Sequence, residues 1–90
     1  MQPATIELFR NAILRQLAAA SPATLTAETL SLGLKAFGFT TFTPAELSTE
    51  LLYLTQRAFI EESFKTLSPA TARYRLSPDG RDYLDKENLL

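Results

Sequence analysis

The sequence predicts a small domain of the α+β class that is mainly α-helical. Apolar residues recur at helical spacing in three successive segments, a capping box opens the third, and a strictly alternating segment follows near the carboxyl end. The 90 residues are 46% hydrophobic, which is ordinary for a folded protein and too apolar for a disordered chain. We therefore expect residues 1–90 to form a single domain.

The first helix is predicted to begin at Ala4 or Thr5 and to continue to Ala20. Its apolar stripe consists of Ile6, Phe9, Ile13 and Leu17. The Ser21–Pro22 step ends it, because the residue before a proline disfavours the helical conformation. Leu8 lies outside the stripe, either as an isolated surface leucine or as part of a dimer contact with Leu89 and Leu90.

The second helix is predicted to begin after Thr26, which can act as its N-cap. Its buried stripe consists of Leu30, Leu34 and Phe37. Gly38 is expected to end the helix in the left-handed conformation. The β-prone segment 39–42 then predicts a short connection that is long enough for one bridge-like strand at most.

Four local signals agree on the start of the third helix. Thr43 is the expected N-cap, Pro44 suits the first helical position, and Glu46 completes a capping box. Phe42 can pack on Leu47 as a hydrophobic staple. The buried stripe consists of Leu47, Leu51 and Leu54. Residues 43–57 are therefore expected to form a capped amphipathic helix.

A β-hairpin is predicted over residues 60–76. Its first strand covers 58–64, where Ile60 and Phe64 share a face with Glu62, so we expect a bend or an edge position. The loop 65–71 contains Pro69, which is incompatible with a central strand. In the second strand, 72–76, apolar and basic residues alternate strictly.

The last element is a short helix that Ser77 caps and Pro78 opens. Tyr83 and Leu84 are expected to pack against the core, whereas Leu89 and Leu90 either fray or join a subunit contact. The predicted order is a three-helix bundle with a helix-turn-helix, a C-terminal β-hairpin wing and a short final helix. This order is that of the winged helix.

The composition makes catalysis an unfavoured function. The chain has no cysteine and no histidine, and its three glycines form no phosphate-binding loop. We expect no enzyme activity, no metal and no cofactor. No segment is apolar enough to span a membrane, and the N-terminus does not read as a signal peptide, so a cytoplasmic location is expected. The chain has nine basic and ten acidic residues, so it lacks the net positive charge that would attract nucleic acid to the protein as a whole.

The segment from Tyr74 to Leu84, YRLSPDGRDYL, resembles the end of the wing in winged-helix regulators of the MarR/PadR type. The chain is also similar to small phage-associated winged-helix proteins of about this length. The resemblance implies that the partner is double-stranded DNA. It implies that helix 43–57 enters the major groove and that hairpin 60–76 lies on the backbone.

The resemblance also implies roles for individual residues. Thr49 and Gln56 would read base edges, and Tyr53 would reach phosphate from the same exposed face of the helix. A positive stripe would contact the DNA backbone, and it would consist of Arg57, Lys65, Arg73 and Arg75. A homodimer would place two such helices about one turn of DNA apart.

Two features of the sequence keep another function open. The proposed recognition helix carries Glu46 and Glu50, although the first serves the capping box and the second lies nearer the flank. Leu52 beside Tyr53 also suits a protein contact. In addition, Glu61 or Glu62 can pair with the wing arginines across the hairpin. The alternative is a winged-helix interaction module that binds a protein and does not bind DNA.

Overall fold

The computed structural model describes residues 2–64 and 72–89. In chain order its elements are α1 (Pro3–Ala20), β1 (Leu25–Thr26), α2 (Ala27–Ala36), α3 (Pro44–Gln56), β2 (Ile60–Phe64), β3 (Arg73–Leu76) and α4 (Pro78–Lys86). The three strands form one antiparallel sheet in the order β1-β3-β2. This is the mainly helical α+β winged-helix arrangement that the sequence predicts. The predicted loop 65–71, with Lys65 and Pro69, and Leu90 lie outside the described residues.

The predicted caps form where the sequence places them. The Thr43 hydroxyl accepts a hydrogen bond from the Glu46 N–H, and the Glu46 carboxylate accepts one from the Thr43 N–H, at 3.1 and 2.9 Å. The hydroxyls of Thr26 and Ser77 cap α2 and α4 by accepting hydrogen bonds from the N–H groups of Thr29 and Gly80, without a reciprocal side-chain bond to the cap N–H. Each cap satisfies an N–H group that the helix itself leaves unpaired, so these starts are fixed locally.

The core lies between the first three helices, the sheet and α4. Its fully buried large side chains come from five elements and are Phe9, Ile13, Leu14, Leu17, Leu30, Leu34, Leu54, Ile60 and Leu84. The predicted stripes of the first three helices supply six of these nine side chains. None of the described helices is long and apolar enough to cross a membrane.

Strand β1 is absent from the prediction, and segment 39–42, for which one bridge-like strand at most is predicted, forms no strand. Leu25 and Thr26 pair with Tyr74 and Arg73 of β3, so the hairpin becomes a three-stranded sheet. Two residues are too few to show a strand periodicity. Segment 39–42 instead packs its two aromatic rings edge-on against the buried ring of Phe9, with centroid distances of 5.3 and 5.1 Å.

Three helices end with the same left-handed turn. The residues with positive φ are Gly38 at 101°, Ala58 at 62° and Asn88 at 56°. In each case the next N–H returns to a carbonyl of the last helical turn, in the bonds Phe39 to Leu34, Phe59 to Leu54 and Leu89 to Leu84. These are Schellman motifs, and each brings an apolar residue back towards the core.

These turns account for two further corrections. Phe37 was predicted to be buried, but 55% of it is exposed, because the turn at Gly38 directs Phe39 to the core instead. Ala58 belongs to the turn after α3, so the strand begins at Ile60 and not at 58. Leu89, for which fraying or a subunit contact was predicted, is half-buried and packs against the core.

The hairpin has the predicted alternation. Tyr74 and Leu76 are half-buried, whereas Arg73 and Arg75 are exposed on the other face of β3. The pairing of β2 with β3 shifts register between Glu62 and Phe64, which is the expected irregularity of that strand.

Candidate nucleic-acid interface

One side of α3 is open to solvent and carries no charged side chain. Its exposed residues are Ala45, Ser48, Thr49, Leu52 and Gln56, with Leu52 59% exposed. The Thr49 hydroxyl donates a hydrogen bond to the Ala45 carbonyl at 3.0 Å. Its proton is therefore used within the helix, and its lone pairs remain available as acceptors. We call this surface the α3 face.

Both glutamates of α3 are engaged away from the α3 face. Glu46 is held by the capping box at the start of the helix. Glu50 is only 8% exposed, and its carboxylate accepts a hydrogen bond and ion pair from the Arg10 guanidinium of α1. The charge of Glu50 is thus compensated by Arg10, and neither carboxylate is among the exposed residues of the α3 face, although both line a groove at its edge with Ala45 and Thr49.

Tyr53 lies on the flank of α3 and does not share the α3 face with Thr49 and Leu52. It is half-buried, and the Arg10 guanidinium carbon is 3.7 Å from the centroid of its ring. Arg10 therefore contacts both Tyr53 and Glu50, and these contacts hold one side of α3 against α1. The sequence prediction missed Arg10, since the two partners of this ion pair are 40 positions apart.

Arg57 is the C-cap residue of α3, directly after the α3 face, and it lines the same cavity as Arg10 and Tyr53. It is exposed, and its guanidinium carbon lies 5.5 Å from the centroid of the Phe59 ring. No ion pair within residues 2–64 and 72–89 involves it. A cation next to the last carbonyl groups of a helix is favoured by the helix dipole.

The two arginines of the wing have partners within the domain. Arg75 pairs with Glu61 across the hairpin at 3.1 Å, as one of the two alternatives predicted. Arg73 donates from its Nε to the Thr24 hydroxyl at 2.7 Å, which ties β3 to the segment before β1. Side-chain exposures of 51% for Arg75 and 42% for Glu61 leave this pair in contact with water.

Two tyrosines near the site are neutral at ordinary pH. Burial raises the pKa of Tyr74 above its usual value, and the neighbouring Glu62 carboxylate raises it further. Burial also raises the pKa of Tyr83, with smaller effects of Glu87 and Glu7 in the same direction. The Tyr83 hydroxyl donates to the Asn11 side chain at 3.0 Å.

The structure puts the described site residues in four places, of which the first is the flank of α3 with Tyr53. Thr49 and Gln56 share the α3 face, Arg57 lies at its end, and Arg73 and Arg75 lie on β3. Lys65 lies outside the described residues.

Comparison with known proteins supports the fold. No family model matches the chain, and no curated protein matches it. A solved structure of a transcriptional regulator from Clostridium thermocellum superposes with a TM-score of 0.64 at 16% identity. The match covers 98% of this chain and 84% of that one. At this identity the likeness shows a shared fold.

Proposed function

We propose that this protein is a DNA-binding, transcription-regulator-like winged-helix protein. Helix α3 would enter the major groove, and the hairpin 60–76 would lie on the backbone as a wing. The observation that carries the proposal is the uncharged α3 face. Because Glu46 and Glu50 are engaged elsewhere, α3 can approach DNA without placing a carboxylate at the centre of the contact.

The chemistry of the α3 face suits base edges. The Gln56 side chain can bond both N6 and N7 of adenine, which is a recurrent geometry in the major groove. Thr49 offers acceptor lone pairs, because its proton is already donated to Ala45. Leu52 supplies an apolar contact that suits a thymine methyl group.

The backbone contacts would come from the end of α3 and the wing. Arg57 would meet phosphate at the end of α3, together with the flanking hydroxyl of Tyr53, and Lys65, Arg73 and Arg75 would do so on the wing. An exposed ion pair contributes about 0–1 kcal/mol, so phosphate can replace Glu61 as the partner of Arg75 at little cost. A protein of this type would act in the cytoplasm, where we expect this chain to be located.

The test is a fluorescence-anisotropy titration of labelled random-sequence duplex at several salt concentrations. With about four phosphate contacts, log K should fall with log salt at a slope of about −3.6. The double variant Arg73→Ala/Arg75→Ala should weaken binding and reduce that slope by about 2. The matched control is Arg81→Ala/Lys86→Ala, which removes the same charge from exposed positions on α4.

The proposal fails if wild-type protein does not bind duplex even at about 20–50 mM salt, where non-specific attraction is strong. If both double variants weaken binding equally, overall charge governs binding and the wing has no specific role.

A second candidate function is a protein contact through the α3 face. The observation that favours it is the 59% exposure of Leu52 at the centre of an uncharged helix surface. Absence of DNA binding together with saturable binding of a partner that Leu52→Lys abolishes would identify this function.

A further inference from the structure

A second exposed apolar surface lies along α1, next to the ends of α2 and of the described chain. We call it the α1 patch. It surrounds a groove of about 210 Å³ whose apolar lining consists of Leu8, Ala12, Phe37, Phe39 and Leu89. Leu8 is 62% exposed and Phe37 is 55% exposed. Two large apolar side chains beside an apolar groove form a surface that favours contact with another apolar group.

Arg15 borders this groove, and Glu7, of opposite charge, precedes Leu8 on the same helix and also lines the neighbouring cavity that contains Arg10. Glu7 and Arg15 are both exposed and stand eight positions apart, with Asn11 midway between them. Eight helical positions correspond to about 12 Å. Among the residues that the structure describes, neither Glu7 nor Arg15 takes part in an ion pair. These charges are therefore available to a partner.

The patch is complementary to itself. If two copies of α1 run antiparallel about a twofold axis near Asn11, position 7 of one copy lies opposite position 15 of the other. Each Glu7 then faces the partner's Arg15, and the pair occurs twice. In the same register the partner's Leu8 falls opposite position 14, over the groove that Asn11, Ala12 and Arg15 border.

We propose that the α1 patch is the contact between two copies of this chain in an antiparallel homodimer. The partner's Leu8 fills the groove beside Ala12, and two symmetric Glu7–Arg15 ion pairs fix the direction and the register. Charge complementarity selects a second copy over an unrelated protein, because one twofold operation satisfies the groove and both charges together. The inference is independent of DNA binding.

Sedimentation equilibrium of the full chain, from about 5 to 200 μM, tests the proposal. Wild-type protein should dimerise in this range, and Leu8→Glu should raise the dissociation constant at least about tenfold by placing a charge over the apolar groove. The matched control is Leu32→Glu. Leu32 is 63% exposed, but it lies on α2 and is not among the groove residues. The dimer dissociation constant of Leu32→Glu should therefore match that of the wild type.

Charge reversal tests the antiparallel register. Glu7→Arg and Arg15→Glu should each weaken the dimer several-fold, because each places like charges together. The double variant Glu7→Arg/Arg15→Glu should recover the wild-type dissociation constant within about threefold, since the pairs are restored with their signs exchanged. Circular dichroism of each variant shows whether it is folded.

Three outcomes overturn the proposal. Wild-type protein that stays monomeric at 200 μM excludes the dimer. A dimer that Leu8→Glu and Leu32→Glu affect equally uses another surface. If the folded double variant does not recover the wild-type dissociation constant, the antiparallel register is excluded.

Discussion

Gly80 lies where α4 passes close to the turn after α3. A Cβ atom at this position would stand 2.0 Å from the Phe59 carbonyl oxygen, which is backbone and has no alternative rotamer. The segment that resembles regulator wings therefore contains a glycine for a steric reason. Its contact fixes α4 against the start of the sheet.

Gly80→Ala should destabilise the protein by about 1–3 kcal/mol, because the added methyl group forces the backbone of α4 away from Phe59. Urea unfolding followed by circular dichroism measures this. Gly33→Ala is the matched control, since its Cβ would meet only the flexible end of the Gln16 side chain. If the two variants lose equal stability, the account of Gly80 is wrong.

Ala58 adopts a left-handed conformation, with φ of 62°, in the Schellman turn that ends α3. A side chain is strained there and glycine is not. Ala58→Gly should therefore raise the free energy of unfolding by about 0.5–1 kcal/mol. Ala19→Gly, at an exposed position within α1, should lower it by a similar amount. Thermal unfolding of both variants gives the signs of the two changes in stability. A loss of stability in Ala58→Gly would contradict the structure.

At the scale of elements, one contact between α1 and α3 determines how the α3 face is presented. Arg10 holds Glu50 in an ion pair and stacks on Tyr53, so it fixes the rotation of α3 about its own axis. The side-chain exposures, 30% for Arg10 and 11% for Glu50, make this pair much less hydrated than Arg75–Glu61. Removing one partner leaves a poorly hydrated charge.

A double-mutant cycle measures this contact. Arg10→Met should cost about 2–3 kcal/mol, and Arg10→Met/Glu50→Leu should recover part of that loss, with a coupling above about 1 kcal/mol. The same cycle on Arg75 and Glu61, each changed to Ala, should give a coupling of at most about 1 kcal/mol. Equal couplings would show that the α1–α3 pair does not orient the helix.

The elements that the sequence predicts well are those with local signals. Thr43 with Glu46 and Ser77 with Pro78 locate the starts of α3 and α4, because caps involve neighbours in the chain. Strand β1 lacks such a signal, since its two residues pair with β3 almost fifty positions away. The left-handed turn at Ala58 was missed for a related reason. Tertiary contacts, and not the preference of alanine, impose it.

The residues of the candidate site also divide into those that a local sequence pattern predicts and those that it does not. Thr49 and Gln56 follow from helical periodicity, and the structure keeps them on one exposed face. Tyr53 was predicted on that face, but it lies on the flank of the helix, where Arg10 stacks on its ring. Arg73 bonds Thr24, 49 positions away, so its partner was beyond any local pattern.

At the scale of the whole molecule, binding depends on where the charges lie. With a net charge of −1, the protein cannot attract DNA by its total charge. The capping box holds Glu46 and Arg10 holds Glu50, so the exposed surface of the helix beside Arg57 and the wing is uncharged. The affinity of the protein for DNA should therefore be sensitive to a charge placed at the centre of the α3 face and insensitive to the same charge placed elsewhere.

The most direct measurement compares Leu52→Lys with Leu52→Glu in anisotropy titrations of random-sequence duplex at about 50 mM salt. If α3 enters the major groove, lysine should tighten DNA binding several-fold and glutamate should weaken it at least as much, because Leu52 would face the groove. Ala19→Lys and Ala19→Glu, at an exposed position on α1, are the matched controls. If the Leu52 and Ala19 variants shift affinity equally, the α3 face does not contact DNA.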